Sequence, residues 1–513
     1  MKIILINPPW YSPEPVKFQT SNLGLSYITS FVRERGHTVV AVDSLYELPG
    51  MPVEVEPVKF KYQDVYKIGL SYDNIVKQVP KDNDLVGISG PTSNHRIIIK
   101  ELSAAIKKRY PKMKVLVGGP YPSANPEDIP HLNIDYGIDG ESEIVLDKLL
   151  SGVAHDKIKG LIYRDKKGKW HFNGKADLPA DLDKIPFPAR DVFHCNEILD
   201  NQNHARIRKG TEIVTKKVRS VPMITSRGCP YNCGFCSVHI MNGKKWRYRS
   251  PENVIAEMKE LKEKYNVDEV ALLDDHLAGD RSRFIRIMDL MIKEKINLQW
   301  TLPNGIRVDY LDKEILRKMK KSGCTSLVLG VQNGSQEMLD IMETRLDLKK
   351  VEEVVREAKN IGLNMAGFFL VGYPGETRKR FRESLRFCKR LGKKYGISDW
   401  RINIVRAYPK TRLDKLCKEK GYYVKKDVEN LLYFPGYDSE ANIKTLEFDP
   451  AEIIWRRNYA KRQLMSVENL IYWNLVYYLE RLGIKNAFKK IMPQKLWDAQ
   501  KKIVFEISKR ITR

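Results

Sequence analysis

Over the first 150 residues, short apolar runs alternate with stretches of helical period. KIILIN (2–7) is followed by LGLSYITSFVRERGH, in which Leu23, Tyr27, Phe31 and Val32 fall on one helical face. TVVAVD (38–43), LVGIS (85–89) and KVLVGG (114–119) come next, the last two separated by the helical stretch RIIIKELSAAIKKRY. Strands alternating with helices of about 10–15 residues predict a parallel, doubly wound sheet. Ligands of such sheets lie beyond the carboxyl ends of the strands. Those ends read NPPW, SGPTSN, GGPYPSA and DGESE, rich in residues that let backbone approach a ligand closely.

Residues 151–215 read as a connector, with the polar hairpin candidate YRDKKGKWHFNGK and the proline-stiffened LDKIPFPARD. A second alternation begins at Val221: VPMITS, VDEVALLD (267–274), LQWTLPN (298–304), TSLVLGV (325–331), NMAGFFLVG (364–372) and WRINIVRAYP (400–409). Helical stretches such as PENVIAEMKELKEKY lie between them. The spacing of about 30–45 residues is that of a βα unit, and six units predict a partial (β/α)6 barrel over 216–425. The remainder, 426–513, reads as a helical region, with SVENLIYWNLVYYLERLG apolar over much of its circumference.

Length sets a prior of about three domains for 513 residues. The net charge is +25, and residues 453–513 hold 14 basic against four acidic residues, so ten of the +25 lie in that stretch. A basic, aromatic tail fits an anionic membrane surface or a lid over an apolar, lipid-like substrate, and equally a helical cap with a solvated lysine face. Binding of nucleic acid is not expected. No apolar run reaches the length of a spanning helix, and MKIILINPPW reads as a buried strand rather than a signal peptide. A cytoplasmic protein is expected, with peripheral membrane association through its C-terminal region.

Three of the seven cysteines, Cys229, Cys233 and Cys236, stand close together in SRGCPYNCGFCS. A structural zinc site takes four ligands, commonly as two close pairs. No second pair exists here; Cys195, Cys324, Cys388 and Cys417 are scattered. Three thiolates on a 4Fe–4S cube occupy three irons and leave one open for chemistry. His239 is an alternative fourth ligand, though a nearby histidine is more often a packing residue.

CPYNCGFC resembles the cluster motif of the radical SAM superfamily, where the open iron chelates S-adenosylmethionine (SAM). The resemblance places Phe235 near the adenine. It makes Asp274 and Asp275, in ALLDDH, candidates for the methionine amino group, or else caps of the next helix. LGVQNGSQEML resembles the fourth-strand segment, with Gln332 and Asn333 where the family commonly has Glu-Ser. GFFLVGYPGET resembles the fifth-strand segment beside the adenine, which includes Gly372. Arg249 could meet the SAM carboxylate or serve locally at the next helix.

The first domain, 1–150, resembles cobalamin-binding domains. VGISGPTSN, with Ser89 and Thr92, is similar to the loop that receives the nucleotide tail, and VLVGGPYPS, with Gly118 and Gly119, to the glycine turn along it. Gly140 and Glu141 of DGESE complete the candidate contacts. The loop NPPWYSPEP lacks the cobalt-ligating histidine of methionine-synthase-like domains, and His95 lies on another loop. The resemblance therefore implies cobalamin without a protein imidazole on cobalt, with Trp10 or Tyr11 a candidate shield for its lower face. Together the two resemblances span about residues 1–420 and identify the chain as a member of the cobalamin-binding radical SAM enzymes. They imply methylation of an unactivated carbon through a 5′-deoxyadenosyl radical and methylcobalamin. They also imply an electron donor of the flavodoxin or ferredoxin kind and a small-molecule or lipid-like substrate. Alternatives are an oxidative cyclase or rearrangement enzyme, resembling the anaerobic Mg-protoporphyrin ester cyclase, and a non-catalytic cobalamin sensor. A methylthiotransferase would need a second three-cysteine cluster, and only Cys195 precedes the motif.

Overall fold

The computed structural model describes residues 1–15, 22–60, 63–201, 205–209, 212–216, 218–397, 399–424 and 441–464. The strands are β1 (Lys2–Asn7), β2 (Trp10–Ser12), β3 (Thr38–Asp43), β4 (Glu54–Phe60), β5 (Gln63–Gly69), β6 (Leu85–Ser89), β7 (Lys114–Gly118), β8 (Tyr136–Ile138), β9 (Leu161–Arg164) and β10 (Trp170–Phe172). They continue with β11 (Ala205–Lys209), β12 (Glu212–Lys216), β13 (Ser220–Met223), β14 (Ser226–Arg227), β15 (Arg247–Tyr248), β16 (Glu269–Leu272), β17 (Gln299–Thr301), β18 (Cys324–Gln332), β19 (Met365–Val371) and β20 (Asp399–Ile404).

The first sheet has the order β10-β9-β8-β7-β6-β1-β3. From β8 to β3 it is parallel, with Ile3 opposite both Val39 and Leu85. Alternate side chains of one strand feed two cores, as a sheet covered on both faces requires. Ile4, Ile6, Val86, Val115 and Val117 pack with Ile99, Leu102 and Ile106 of the helix Arg96–Arg109. Ile3, Leu5, Leu85 and Leu116 pack with Leu25, Phe31 and Val32 of the helix Leu23–Glu34, capped by Asn22. The chain order reverses between β1 and β6, the switch point at which doubly wound sheets bind ligands. The hairpin read within the connector is β9–β10, and it extends this sheet antiparallel to β8. Patterning did not foresee the small sheet β2-β5-β4. It pairs the loop after β1 with the stretch between β3 and β6.

The second sheet is β13-β16-β17-β18-β19-β20, all parallel. It forms an open (β/α)6 crescent around a core that includes Met223, Val270, Trp300, Leu327, Leu329 and Phe369. Cys195, Cys324 and Cys388 are buried in the barrel core away from the cysteine motif, and Cys417 is buried in the small apolar cluster against which Phe235 packs. A helix, Pro450–Leu464, packs on β19, β20 and the helix Arg378–Tyr395. The apolar and basic segments after 464, with their membrane or lid reading, lie outside the described residues. No helix among the described residues is long and apolar enough to cross a membrane.

Candidate cofactor site between the facing strand ends

Past β13 the chain runs through β14, which pairs with β15, into the loop of Cys229, Cys233 and Cys236. The tip residues Pro230 and Asn232 are exposed. The loop reaches the far edge of the crescent. Gly234 donates its N–H to the Met342 carbonyl (2.9 Å), and the Gly234 carbonyl accepts from the Leu413 N–H (2.9 Å). A Cβ at Gly234 would lie 2.3 Å from the Tyr373 hydroxyl, so a larger residue there has to displace that ring. Phe235 packs among Met338, Met342 and Tyr373. Burial raises all three motif thiols, Cys236 to about 12. The charge of Arg307, whose guanidinium lies 3.5 Å above the Tyr231 ring, opposes that shift at Cys229 and Cys233. Such thiols become thiolates readily only against a strong local cation. Among the described residues, no three His, Cys, Asp or Glu side chains are grouped to hold a single ion. A cube spreads its three thiolates over three irons, so this donor set suits a cluster better than zinc.

A cavity of about 370 Å³ runs from the carboxyl ends of the first sheet to the start of the cysteine loop. Ser89, Gly118, Gly119, Gly140 and Glu141 line it from one side, and Ser226, Arg227, Asn242 and Asp275 from the other. Its body is apolar, with Leu5, Leu25, Tyr27, Val32 and Leu146 on its walls. Gly119 has φ 99°, and a Cβ there would press on the Gly90 carbonyl at 3.0 Å. A Cβ on Gly118 would meet the Ser142 hydroxyl at 3.2 Å. A flat, apolar slot floored by glycines accommodates a nucleotide-like tail, so the residues present fit cobalamin. Thr92 does not line the cavity; its hydroxyl pairs with Nδ1 of His95 at 3.0 Å.

Two family matches fall on these two halves. Residues 14–150 match the B12 binding domain, and residues 223–388 match the radical SAM superfamily. The chain belongs to the cobalamin-binding radical SAM enzymes. Its cofactors are accordingly cobalamin, SAM and a 4Fe–4S cluster. It is 29% identical over 429 residues to an uncharacterized methyltransferase of Pyrococcus horikoshii, covering 80% of this chain and 82% of the relative. It is 27% identical to the cytidylyl-2-hydroxyethylphosphonate methyltransferase of Streptomyces wedmorensis, covering 76% and 77%. In fold it is similar to the cobalamin-dependent SAM radical enzyme OxsB, solved with aqua-cobalamin and SAM bound. The TM-score is 0.68 at 16% identity, over 98% of this chain and 71% of OxsB.

Within the radical SAM barrel, the candidate contacts have different surroundings. Asp274 is buried and accepts from the Thr225 N–H and hydroxyl and from the Ser226 hydroxyl (2.6 Å). Asp275 accepts from the Gly228 N–H (3.1 Å) and the Asn242 amide (2.6 Å). It also faces the cavity, and burial raises its carboxyl. Gln332 ends β18 with φ 62° and is half-buried. Asn333 is buried, accepting from Ser335 N–H (3.0 Å) and the Ser384 hydroxyl. Gly372 has φ 85° and donates its N–H to Glu376 (3.0 Å). Arg249 is engaged in the barrel wall: it pairs with Glu257 and donates to the Ile224 carbonyl and to Asn253.

Sequence reasoning missed the charged seam between the cobalamin domain and the barrel. Arg227 donates to Glu141 (2.7 Å) and Glu143 (2.8 Å), and Arg247 pairs with Glu141 as well. Arg247 also donates to the carbonyls of Pro179 (3.0 Å) and Asn242 (3.1 Å). The strand pair β14–β15 sets the two arginines side by side. Glu141, expected at the cofactor, thus both lines the cavity and joins the domains. Arg227 stands in SRGC, two residues before the first motif cysteine, and that adjacency was the available signal. Also missed was a ring cluster beside the motif: the hydroxyls of Tyr231 and Tyr310 are 2.8 Å apart, and His276 meets Tyr310 edge-on at 4.7 Å.

Proposed function

We propose that the chain methylates an unactivated carbon of a small molecule in the space between the two sets of strand ends. The cavity supports this reading, since it brings residues of the cobalamin domain and of the cysteine strand to one void. Cys229, Cys233 and Cys236 would hold the cluster. Asp275, Gln332 and Gly372 would face SAM, and Ser89, Gly118, Gly119 and Gly140 would floor the cobalamin tail. When bound, the cofactors supply reductive cleavage of SAM and methyl transfer through cobalt. The protein's part is placement and exclusion of water. The Gly234 contacts hold the cysteine loop across the barrel mouth, and the Arg227–Glu141–Arg247 seam holds the cobalamin domain over it. Boundaries near 215 and 425 divide these roles, and the first domain takes in the hairpin β9–β10 beyond residue 150. A basic surface, at +25 overall, suits an acidic one-electron carrier of flavodoxin or ferredoxin type. Peripheral membrane contact through the C-terminal region belongs to the same proposal, supported by the exposed Trp455 on the basic helix that leads into it.

The test is turnover of reduced, reconstituted protein with trideuteromethyl SAM and a metabolite extract. Formation of 5′-deoxyadenosine and S-adenosylhomocysteine, with label in a new product, supports methylation. 5′-Deoxyadenosine without S-adenosylhomocysteine or label would instead favour the cyclase or rearrangement reading, and neither product would leave a sensor.

A further inference from the structure

The helix Pro450–Leu464 lies beyond both family matches, yet it carries the most deeply buried charge in the described structure. Arg456 and Glu376 are both fully enclosed. Arg456 Nη1 lies 3.1 Å from Glu376 Oε2 and donates to the Glu376 carbonyl at 2.5 Å. Its Nη2 reaches Glu452 at 2.9 Å, and the guanidinium sits between the rings of Phe381 and Phe448. Burial raises the Glu376 carboxyl, and the charge of Arg456 opposes that rise. The same carboxylate accepts the Gly372 N–H at 3.0 Å on Oε2. One turn away, Ile453 presses on Gly372 so closely that a Cβ there would lie 2.9 Å from its Cγ2. The next residue, Tyr373, is the one whose hydroxyl abuts Gly234 between Cys233 and Cys236. A buried chain of contacts therefore runs from the C-terminal helix through the loop after β19 to the cysteine loop.

We propose that this helix is a wall of the SAM site: Arg456 through Glu376, and Ile453 through Gly372, fix the 372–377 loop against the cysteine loop and so set SAM affinity. The inference rests on the reading that this loop borders SAM. Arg456 is a positioning residue; it acts through the carboxylate and strand end it holds. A buried charge held by carbonyls and a carboxylate has one favourable placement, whereas an apolar contact could slide.

The experiment uses the full chain, cluster-reconstituted and cobalamin-loaded, with SAM dissociation measured by equilibrium dialysis. Arg456→Gln and Glu376→Gln should each weaken SAM binding about tenfold. Iron per chain and the cobalamin spectrum should stay at wild-type values. The double variant should be no weaker than the worse single one, because the two act as a unit. Arg456→Lys should recover part of the loss. Ile453→Ala, which leaves the ion pair intact, should weaken SAM binding about threefold and carries the test if the charge variants do not fold. Wild-type SAM affinity in Ile453→Ala and in a folded Arg456→Gln or Glu376→Gln would overturn the proposal. Failure of the wild-type protein itself to bind SAM would instead remove the underlying functional reading.

Discussion

Replacing Arg249 with methionine separates a SAM ligand from a structural ion. Glu257 is 1% exposed and takes Arg190 on Oε1 at 3.0 Å and Arg249 on Oε2. Arg190, from the connector, also donates to the Pro222 carbonyl of β13 at 2.9 Å. Arg249 adds bonds to the Ile224 carbonyl (3.0 Å) and to Asn253. With these bonds the guanidinium is largely satisfied inside the wall. Breaking a buried pair by removing one partner costs about 3–5 kcal/mol, since the survivor keeps its desolvation penalty. Arg249→Met should fall at the low end, about 3 kcal/mol, because Glu257 retains Arg190. Glu257→Gln, which strands two guanidiniums, should reach about 5 kcal/mol. At about 2–4 °C per kcal/mol for a unit of 150–250 residues, the barrel transition should drop by about 6–12 °C in Arg249→Met and about 10–20 °C in Glu257→Gln. Thermal unfolding followed by circular dichroism reads both. SAM affinity of Arg249→Met, measured well below its transition, should stay within about twofold of wild type. A melting point within about 2 °C of wild type, together with lost SAM binding, would refute the structural assignment.

Cys229→Ala, Cys233→Ala or Cys236→Ala should abolish SAM cleavage and bound iron, whereas Ala at Cys195, Cys324, Cys388 or Cys417 should leave iron per chain unchanged; about eight irons per chain in the wild type would indicate a second cluster. Gly119→Val, forced to φ 99° against the Gly90 carbonyl, should lower cobalamin affinity by about tenfold or more in an absorbance titration, with iron content unaffected. Burial lowers His95 to about 3 and His276 to about 4, so both are neutral when folded and the stability they confer is lost as pH falls from about 6.5 toward those values. His95→Phe should remove up to about 1.4 kcal/mol per pH unit from the slope of stability against pH in that window, and the cob(II)alamin spectrum should show no imidazole ligation before or after the change. Full-length protein should float with anionic vesicles at low salt and less at high salt, while a chain ending at 464 should not; equal recovery of both in the soluble fraction would leave residues 465–513 no membrane role.

Periodicity alone sufficed for the parallel strands of the two sheets, but not for the antiparallel hairpin β9–β10 that extends the first of them. Each strand of a parallel βα fold is a local apolar run bounded by a helix of matching length, so both architectures are written in short windows of sequence. The cysteine motif was equally local, because its three candidate ligands stand within eight residues on a single loop. What patterning missed is non-local. In the sheet β2-β5-β4, β2 pairs with β5 across more than fifty positions, and the edge strands lack a buried run. The seam of Arg227 and Arg247 with Glu141 and Glu143 forms only when β14 and β15 lie under the cobalamin domain; in sequence Glu141 is a candidate cofactor contact, and nothing marks the other three as its partners. Arg249 shows the limit from the other side. Its position beside the motif made it a candidate ligand, but its partner Glu257 stands one helix later and Arg190 lies in the connector. Which charges are solvated, which are paired and which face a cofactor depends on the low-dielectric surroundings built by the whole chain, and tertiary structure alone decides it.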